Sequence, residues 1–358
     1  MSKYLNFKAG EKALQVIRDK GLSPDDVKIM AGASGAAKWL VLSDLDRFLF
    51  SKWFRVRKTP LFLAGTSIGA WRFAAAACPD PEDSLLKLED SYINQTYIGK
   101  PTKKEITAFG WQIIDRIFDD RSVSHALNHP SFRLNIIASR SKPVVSSSSS
   151  ILTGAGFGLS ILANSVRRKY LGYFFERALF FDQRGLPPFY DMNCFPMKRI
   201  CLSPQNLREA VMASSAIPFM TEPLKNIKGA PSGIYRDGGI LDYNLDIPFL
   251  PEGSNDIVFY PHYSERITPG WFDKKLKHRR PLEKNMSNVL LAYPSAEFLK
   301  LLPHGRIPDR KDFMHFFGKD GERIRYWKKS AEIGRVITEE FNDAVESGRI
   351  RNMVRPFF

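Results

Sequence analysis

The residues best placed to do chemistry are a serine and an aspartate. Ser67 lies in Gly65-Thr66-Ser67-Ile68-Gly69, where Gly65 and Gly69 allow a sharp turn that leaves the hydroxyl exposed at its apex. The apolar run 61–64 before it reads as a strand and the alanine-rich 70–77 after it as a helix. A serine at that junction heads a helix whose dipole favours developing negative charge. It becomes a nucleophile for acyl transfer once a base and an oxyanion site stand beside it.

Two segments answer that need. Ala31-Gly32-Ala33-Ser34-Gly35 has almost no side chain and can bring backbone amides close to a substrate oxyanion; the same composition also suits a tight strand-to-helix connection. Downstream, Tyr235-Arg236-Asp237-Gly238-Gly239 delivers an aspartate from a short strand into a glycine pair, which is also a common turn. A serine–aspartate–histidine triad is the rival arrangement, with His262, His278, His304 or His315 as third member, although none of these has a motif around it.

These residues need a scaffold. The apolar run 27–30, the small-residue loop and a helical pattern through Trp39, Leu42, Leu45 and Leu49 repeat the strand-loop-helix grammar of the serine segment. Successive units of that kind predict an α/β fold with a mostly parallel central sheet flanked by helices. Further strands are expected at 134–138, 179–182, 199–202 and 257–260, and helices at 81–97, 104–118 and 206–213. From residue 288 onward the pattern reads as mostly helical, including 326–345. The chain is read as one domain, 1–358, with its motifs in 27–250, a surface insertion near 143–170 and a mostly helical C-terminal extension, 280–358. The insertion contains a serine tract, 146–150, followed by the glycine-containing apolar run 151–163 and by Arg167-Arg168-Lys169. That run is shorter than the roughly 20 residues that span a bilayer, but its composition suits docking on an anionic lipid surface, as well as a partly buried helix.

Composition narrows the classes. With 44% hydrophobic and 25% charged residues the chain can bury a core, which excludes disorder as the default. A formal charge of +15 favours phosphate-rich partners, and no zinc-finger, bZIP or RRM-like pattern directs it to nucleic acid, so a lipid surface is the better match. The three cysteines, Cys78, Cys194 and Cys201, have unrelated spacing; they are expected reduced and buried, with no disulfide framework and no metal site. Residues 1–21 lack the apolar core of a secretory signal, which is read as residence in the cytoplasm with peripheral membrane contact. Nothing in the sequence sets an oligomeric state.

Taken in order, the glycine-containing loop, Ser67 and Asp237 resemble the patatin-like phospholipases, a likeness covering about 27–250. Val211-Met212-Ala213-Ser214-Ser215-Ala216-Ile217-Pro218 is similar to that family's Ala-Ser-x-Ala-x-Pro stretch. The family loop reads as glycines, then Arg or Lys, then Gly; here alanines replace glycines and Ser34 stands in the basic position. The resemblance implies a three-layer α/β sandwich and a serine lipid acyl hydrolase, of phospholipase A or lysophospholipase type. It implies a Ser67–Asp237 dyad that needs no histidine, metal or cofactor, and an oxyanion hole from the amides of Gly32, Ala33 and Ile68, with Gly35, Gly65, Gly69, Gly238 and Gly239 shaping the turns. A catalytically idle lipid-binding protein on the same fold remains the alternative of a different class.

Overall fold

The computed structural model describes residues 3–146 and 150–358. Its centre is a mixed, mostly parallel sheet of eleven strands. These are β1 (Leu5–Ala9), β2 (Val27–Gly32), β3 (Leu61–Thr66), β4 (Phe132–Ser141), β5 (Phe175–Phe181), β6 (Met197–Cys201), β7 (Leu224–Lys225), β8 (Ile234–Arg236), β9 (Ile257–Pro261), β10 (Val289–Pro294) and β11 (Arg355–Pro356). The order is β11-β1-β10-β9-β2-β3-β4-β5-β6, with β8 paired to β4 and to β7. The run β10-β9-β2-β3-β4 is parallel throughout. Antiparallel pairing joins β1 to β10, and β4 to β5 and β8. All six residues of β3 are buried, as expected of a central parallel strand covered on both faces. β2 and β3 run side by side so that Gly32 lies opposite Gly65, and their carboxyl ends open into the same crevice, where open α/β sheets bind ligands.

The helices that matter for the site are α1 (Glu11–Lys20), α2 (Ser43–Ser51), α3 (Ile68–Ala76), α4 (Pro81–Ile93), α5 (Lys103–Ile117), α6 (Asp120–Asn128), α7 (Ser150–Val166), α8 (Leu207–Ser214) and the short α9 (Gly239–Asp242). Every residue of α3 is buried, including Arg72, whose guanidinium grips Asp46 of α2 through two 2.6 Å bonds. The Trp71 indole N–H reaches Val211 O at 3.0 Å, tying α3 to α8.

Three expectations need correcting. Residues 289–294 form a fully buried strand inside the sheet, not helix, because a continuous apolar run has no periodicity to separate the two. The helical stretch at 326–345 is broken at Gly334 into Asp320–Ile333 and Arg335–Glu346. Of the cysteines only Cys78 is buried; Cys194 and Cys201 are exposed and all three are free thiols.

Within the insertion, residues 147–149 of the serine tract lie outside the described residues, and α7 follows them. α7 buries Thr153, Gly156, Phe157, Ser160 and Asn164, a small and mostly polar face. Phe157 joins Val145, Leu171, Phe175, Phe195, Ile240 and Leu241 in a second small core, and Asn164 donates to Asp273 at 2.7 Å. The opposite face exposes Ile151, Leu152, Leu159, Ile161, Leu162 and Val166. This inverts the usual polarity of a surface helix.

Candidate active site

Ser67 sits between the last residue of β3 and the first of α3 with φ 51° and ψ −126°. A non-glycine residue in that region is strained by about 1–3 kcal/mol, so the surroundings must hold it there. They do so from two sides. The Ser67 amide donates to Ser214 Oγ at 2.8 Å, and Ser214 Oγ in turn donates to Ile137 O of β4 at 2.7 Å. On the other side Gly32 and Gly69 touch backbone to backbone: a Cβ on Gly69 would lie 2.2 Å from Gly32 O. That contact admits no side chain and lets β2 approach the first turn of α3.

The Ser67 hydroxyl donates to Asp237 Oδ2 at 2.9 Å. Asp237 Oδ1 accepts from the Gly239 amide at 2.7 Å, which fixes the carboxylate plane. The backbone around the aspartate is clamped to the 211–218 stretch, with Asp237 N donating to Ala216 O at 2.9 Å and Gly238 N to Ser214 O at 3.0 Å. Ser214 therefore braces both members of the pair. Behind it, Arg177 of β5 holds Asp242 of α9 through two 2.7 Å bonds, with both side chains fully buried. Neither Arg177 nor Asp242 carries a local signature. Burial pushes the Asp237 carboxyl up from 3.8 to about 6, opposed by the Gly239 amide, the Ser67 hydroxyl and the cations Lys274 and Arg310.

The loop after β2 places its residues at different depths from the cavities at Ser67. Gly32 and Ala33 are buried and line neither of the two cavities that meet at Ser67; Gly32 is enclosed by Gly69 and Phe73. The cavity wall beside Ser67 is Ser34, Gly35 and Ala36. Ser34 is locked by Tyr243 O, which accepts its amide at 2.9 Å, by Tyr263 O–H, which donates to its carbonyl at 2.7 Å, and by Thr66 Oγ1 at 3.0 Å from its hydroxyl. Ala36 adopts φ 52°. The amides of Gly35, Ala36 and Ile68 make no hydrogen bond among the described residues, whereas those of Ser34 and Ser67 are used internally. Ile68 heads α3, where no preceding carbonyl is available to its N–H.

Two cavities meet at Ser67. One, of about 560 Å³, is largely apolar, with Ile68, Trp71, Ile113, Met212, Phe219 and Phe313 in its wall. The other, of about 340 Å³, is the more polar of the two, and its wall includes Asp237, Tyr243, Lys38, Lys274 and Arg310. The Lys274 ammonium lies 3.8 Å from the centre of the Tyr243 ring; although the residue as a whole is exposed, desolvation at that spot, with Lys38 and Arg310 nearby, holds its pKa down to about 7. None of the six histidines borders either cavity or bonds to Ser67 or Asp237. His262 is buried, its pKa pushed down to about 3 by burial, and its Nδ1 lies 2.5 Å from Ser264 O.

The structure is an α/β fold with a serine on a tight strand-to-helix turn at the carboxyl end of a parallel strand, in contact with a buried aspartate. The family model for patatin-like phospholipase matches residues 30–250, and the chain belongs to that family. Lipid acyl hydrolysis in general, on lipid substrates, is the activity the membership supports. A comparison with curated proteins finds no match.

Proposed function

We propose that the chain is a serine lipid acyl hydrolase of phospholipase A or lysophospholipase type that works with a Ser67–Asp237 dyad. The observation that carries the reading is the 2.9 Å bond from Ser67 Oγ to Asp237 Oδ2 at the meeting point of an apolar and a polar cavity. Asp237 takes the hydroxyl proton as the Ser67 oxygen attacks the ester carbonyl. The amides of Ile68, Gly35 and Ala36, unspent inside the protein, hold the oxyanion. Gly32 and Ala33, enclosed behind the cavity wall, are left out of that role and serve to bring β2 against α3. The departing alcohol recovers the proton from Asp237, and a water, deprotonated by the same carboxylate, then releases the fatty acid and regenerates Ser67. No histidine is needed.

The exposed face of α7 supports contact with an anionic bilayer. Phe157 on its inner face packs 5.0 Å, centre to centre, against Phe219, which borders the apolar cavity, so the helix stands beside the acyl route. Arg167 and Lys169 follow its C-terminus and suit anionic headgroups. Among the described residues no helix is long and apolar enough to cross a membrane. The test compares wild type, Ser67→Ala and Leu159→Asp/Leu162→Asp on a soluble p-nitrophenyl ester and on phosphatidylserine-containing vesicles. The reading expects Ser67→Ala to lose both activities and the α7 variant to lower the ratio of vesicle to soluble hydrolysis. A wild type inert on both would favour the idle lipid-binding alternative, and an unchanged ratio would remove the docking face.

A further inference from the structure

Outside the family-matched segment, two loops bring cations to the nucleophile. Lys274 comes from the 3₁₀ turn Trp271–Lys275, and Arg310 from the loop before the short helix Asp312–His315. With Lys38, from the 3₁₀ turn Ala36–Leu42, they line the polar cavity. Lys38 is partnered by Asp309 at 3.5 Å. Lys274 and Arg310 make no ion pair among the described residues.

Cations held together without counterions are unfavourable unless something negative joins them, since each raises the local potential felt by the others. The Lys274 pKa is held down first by desolvation and then by Lys38 and Arg310, and the carboxylates of Asp237, already bonded to Ser67 and Gly239, and Asp309 offset this only in part. Around Ser67 the two cavities also divide any ester into an apolar half and a half that meets these charges. Arg310 and Lys311 border both, so the ester bond must lie beside them.

We propose that Lys274 and Arg310, aided by Lys38, form a phosphate-binding subsite for the alcohol half of the substrate, so that the preferred ester carries its acyl chain on a phosphate-bearing alcohol. The assignment rests on the Ser67–Asp237 reading for the orientation of the ester. Asp309 offsets part of the charge through Lys38, and Arg266, also in the wall, is engaged with Leu276 O at 2.9 Å. A dianionic or diester phosphate meets Arg310 with a planar fork and Lys274 with a point charge, a pairing suited to several phosphate oxygens at once.

Two assays test it on the full chain. The first measures kcat/KM on a monoacyl glycerophosphocholine and on a monoacylglycerol with the same acyl chain, for wild type, Lys274→Met and Arg310→Met. Each variant is expected to lower the ratio of phosphate-bearing to neutral substrate by about tenfold or more, the effect of losing a charge-assisted bond. Equal losses on both esters would overturn the subsite and make the residues structural or part of the oxyanion site, and no loss would overturn it outright. The second assay is independent of turnover: calorimetric binding of glycerophosphocholine and of inorganic phosphate to Ser67→Ala, alone and combined with Arg310→Met. Glycerophosphocholine binding abolished by Arg310→Met supports the subsite even if hydrolysis fails for other reasons. Preference for inorganic phosphate over glycerophosphocholine would assign the cations to a free anion and refute a substrate headgroup, and binding insensitive to Arg310→Met would refute the site.

Discussion

Replacing Asp237 with asparagine should abolish turnover yet make the protein more stable at neutral and alkaline pH. The carboxyl is buried, and its pKa rises from 3.8 to about 6 chiefly because burial penalises the anion. Because the folded-state value lies above the unfolded one, the folded protein binds the proton more tightly. Its stability contribution is complete below pH about 4 and is lost as pH rises through about 6. By pH 8 the ionised group has withdrawn about 3 kcal/mol, from the displacement between 3.8 and about 6. Asparagine carries no charge to desolvate, and its carbonyl can still accept from the Gly239 amide, as Oδ1 does at 2.7 Å. Its NH₂ must find an acceptor where Oδ2 now receives the Ser67 hydroxyl, which takes back about 1 kcal/mol. The net expectation is a gain of about 2 kcal/mol at pH 8 that fades, and reverses slightly, near pH 4. Urea unfolding of wild type and Asp237→Asn at pH 4, 6 and 8 reads it directly. A variant less stable at every pH, or a difference independent of pH, would refute the electrostatic account of this site.

The same carboxylate sets a pH profile: kcat/KM on a soluble ester should rise with pH through about 6 and then level off, as the base must be ionised. A fall across that interval would assign Asp237 another role. Ser67→Gly should be more stable than Ser67→Ala by about 1 kcal/mol or more, and so unfold at a higher temperature, because only glycine relaxes at φ 51° and ψ −126°. Thermal melts of the two inactive variants decide this. Arg177→Met should destabilise by about 3–5 kcal/mol by leaving the buried Asp242 with only Arg168, at 3.7 Å, and adding Asp242→Asn should recover part of the loss; denaturant curves of the single and double variants measure it. Gly69→Ala, whose methyl would lie 2.2 Å from Gly32 O, should lose about 2 kcal/mol or more and most of its esterase activity, read by urea unfolding and initial rates.

What the sequence disclosed about this molecule follows from where each constraint is local. The elbow at Ser67 needs glycines at fixed offsets, and the Asp237 turn needs a glycine pair, so both could be read from adjacent residues. The small-residue loop after β2 was legible only as a segment. Which of its residues face the cavity beside Ser67 depends on the lock around Ser34 by Tyr243, Tyr263 and Thr66, partners scattered along the chain, and on the left-handed turn at Ala36. Ser214 could be marked by resemblance, but its brace on the Ser67 amide is a tertiary contact. Arg177, Lys274 and Arg310 arrive through topology alone and leave no spacing to detect. Strand β10 was hidden by burial on both faces, which erases the alternation that marks a half-exposed strand. For α7 the composition was readable, and what it lacked was orientation: the helix turns its polar residues inward and its leucines outward.

The most direct measurement is covalent labelling with a fluorophosphonate probe, followed by peptide mass mapping, on wild type, Ser67→Ala and Asp237→Asn. The dyad predicts modification of wild type at Ser67 alone, none in Ser67→Ala and strongly slowed labelling in Asp237→Asn. Labelling at another serine, or rapid labelling of Ser67 without the Asp237 carboxylate, would contradict it.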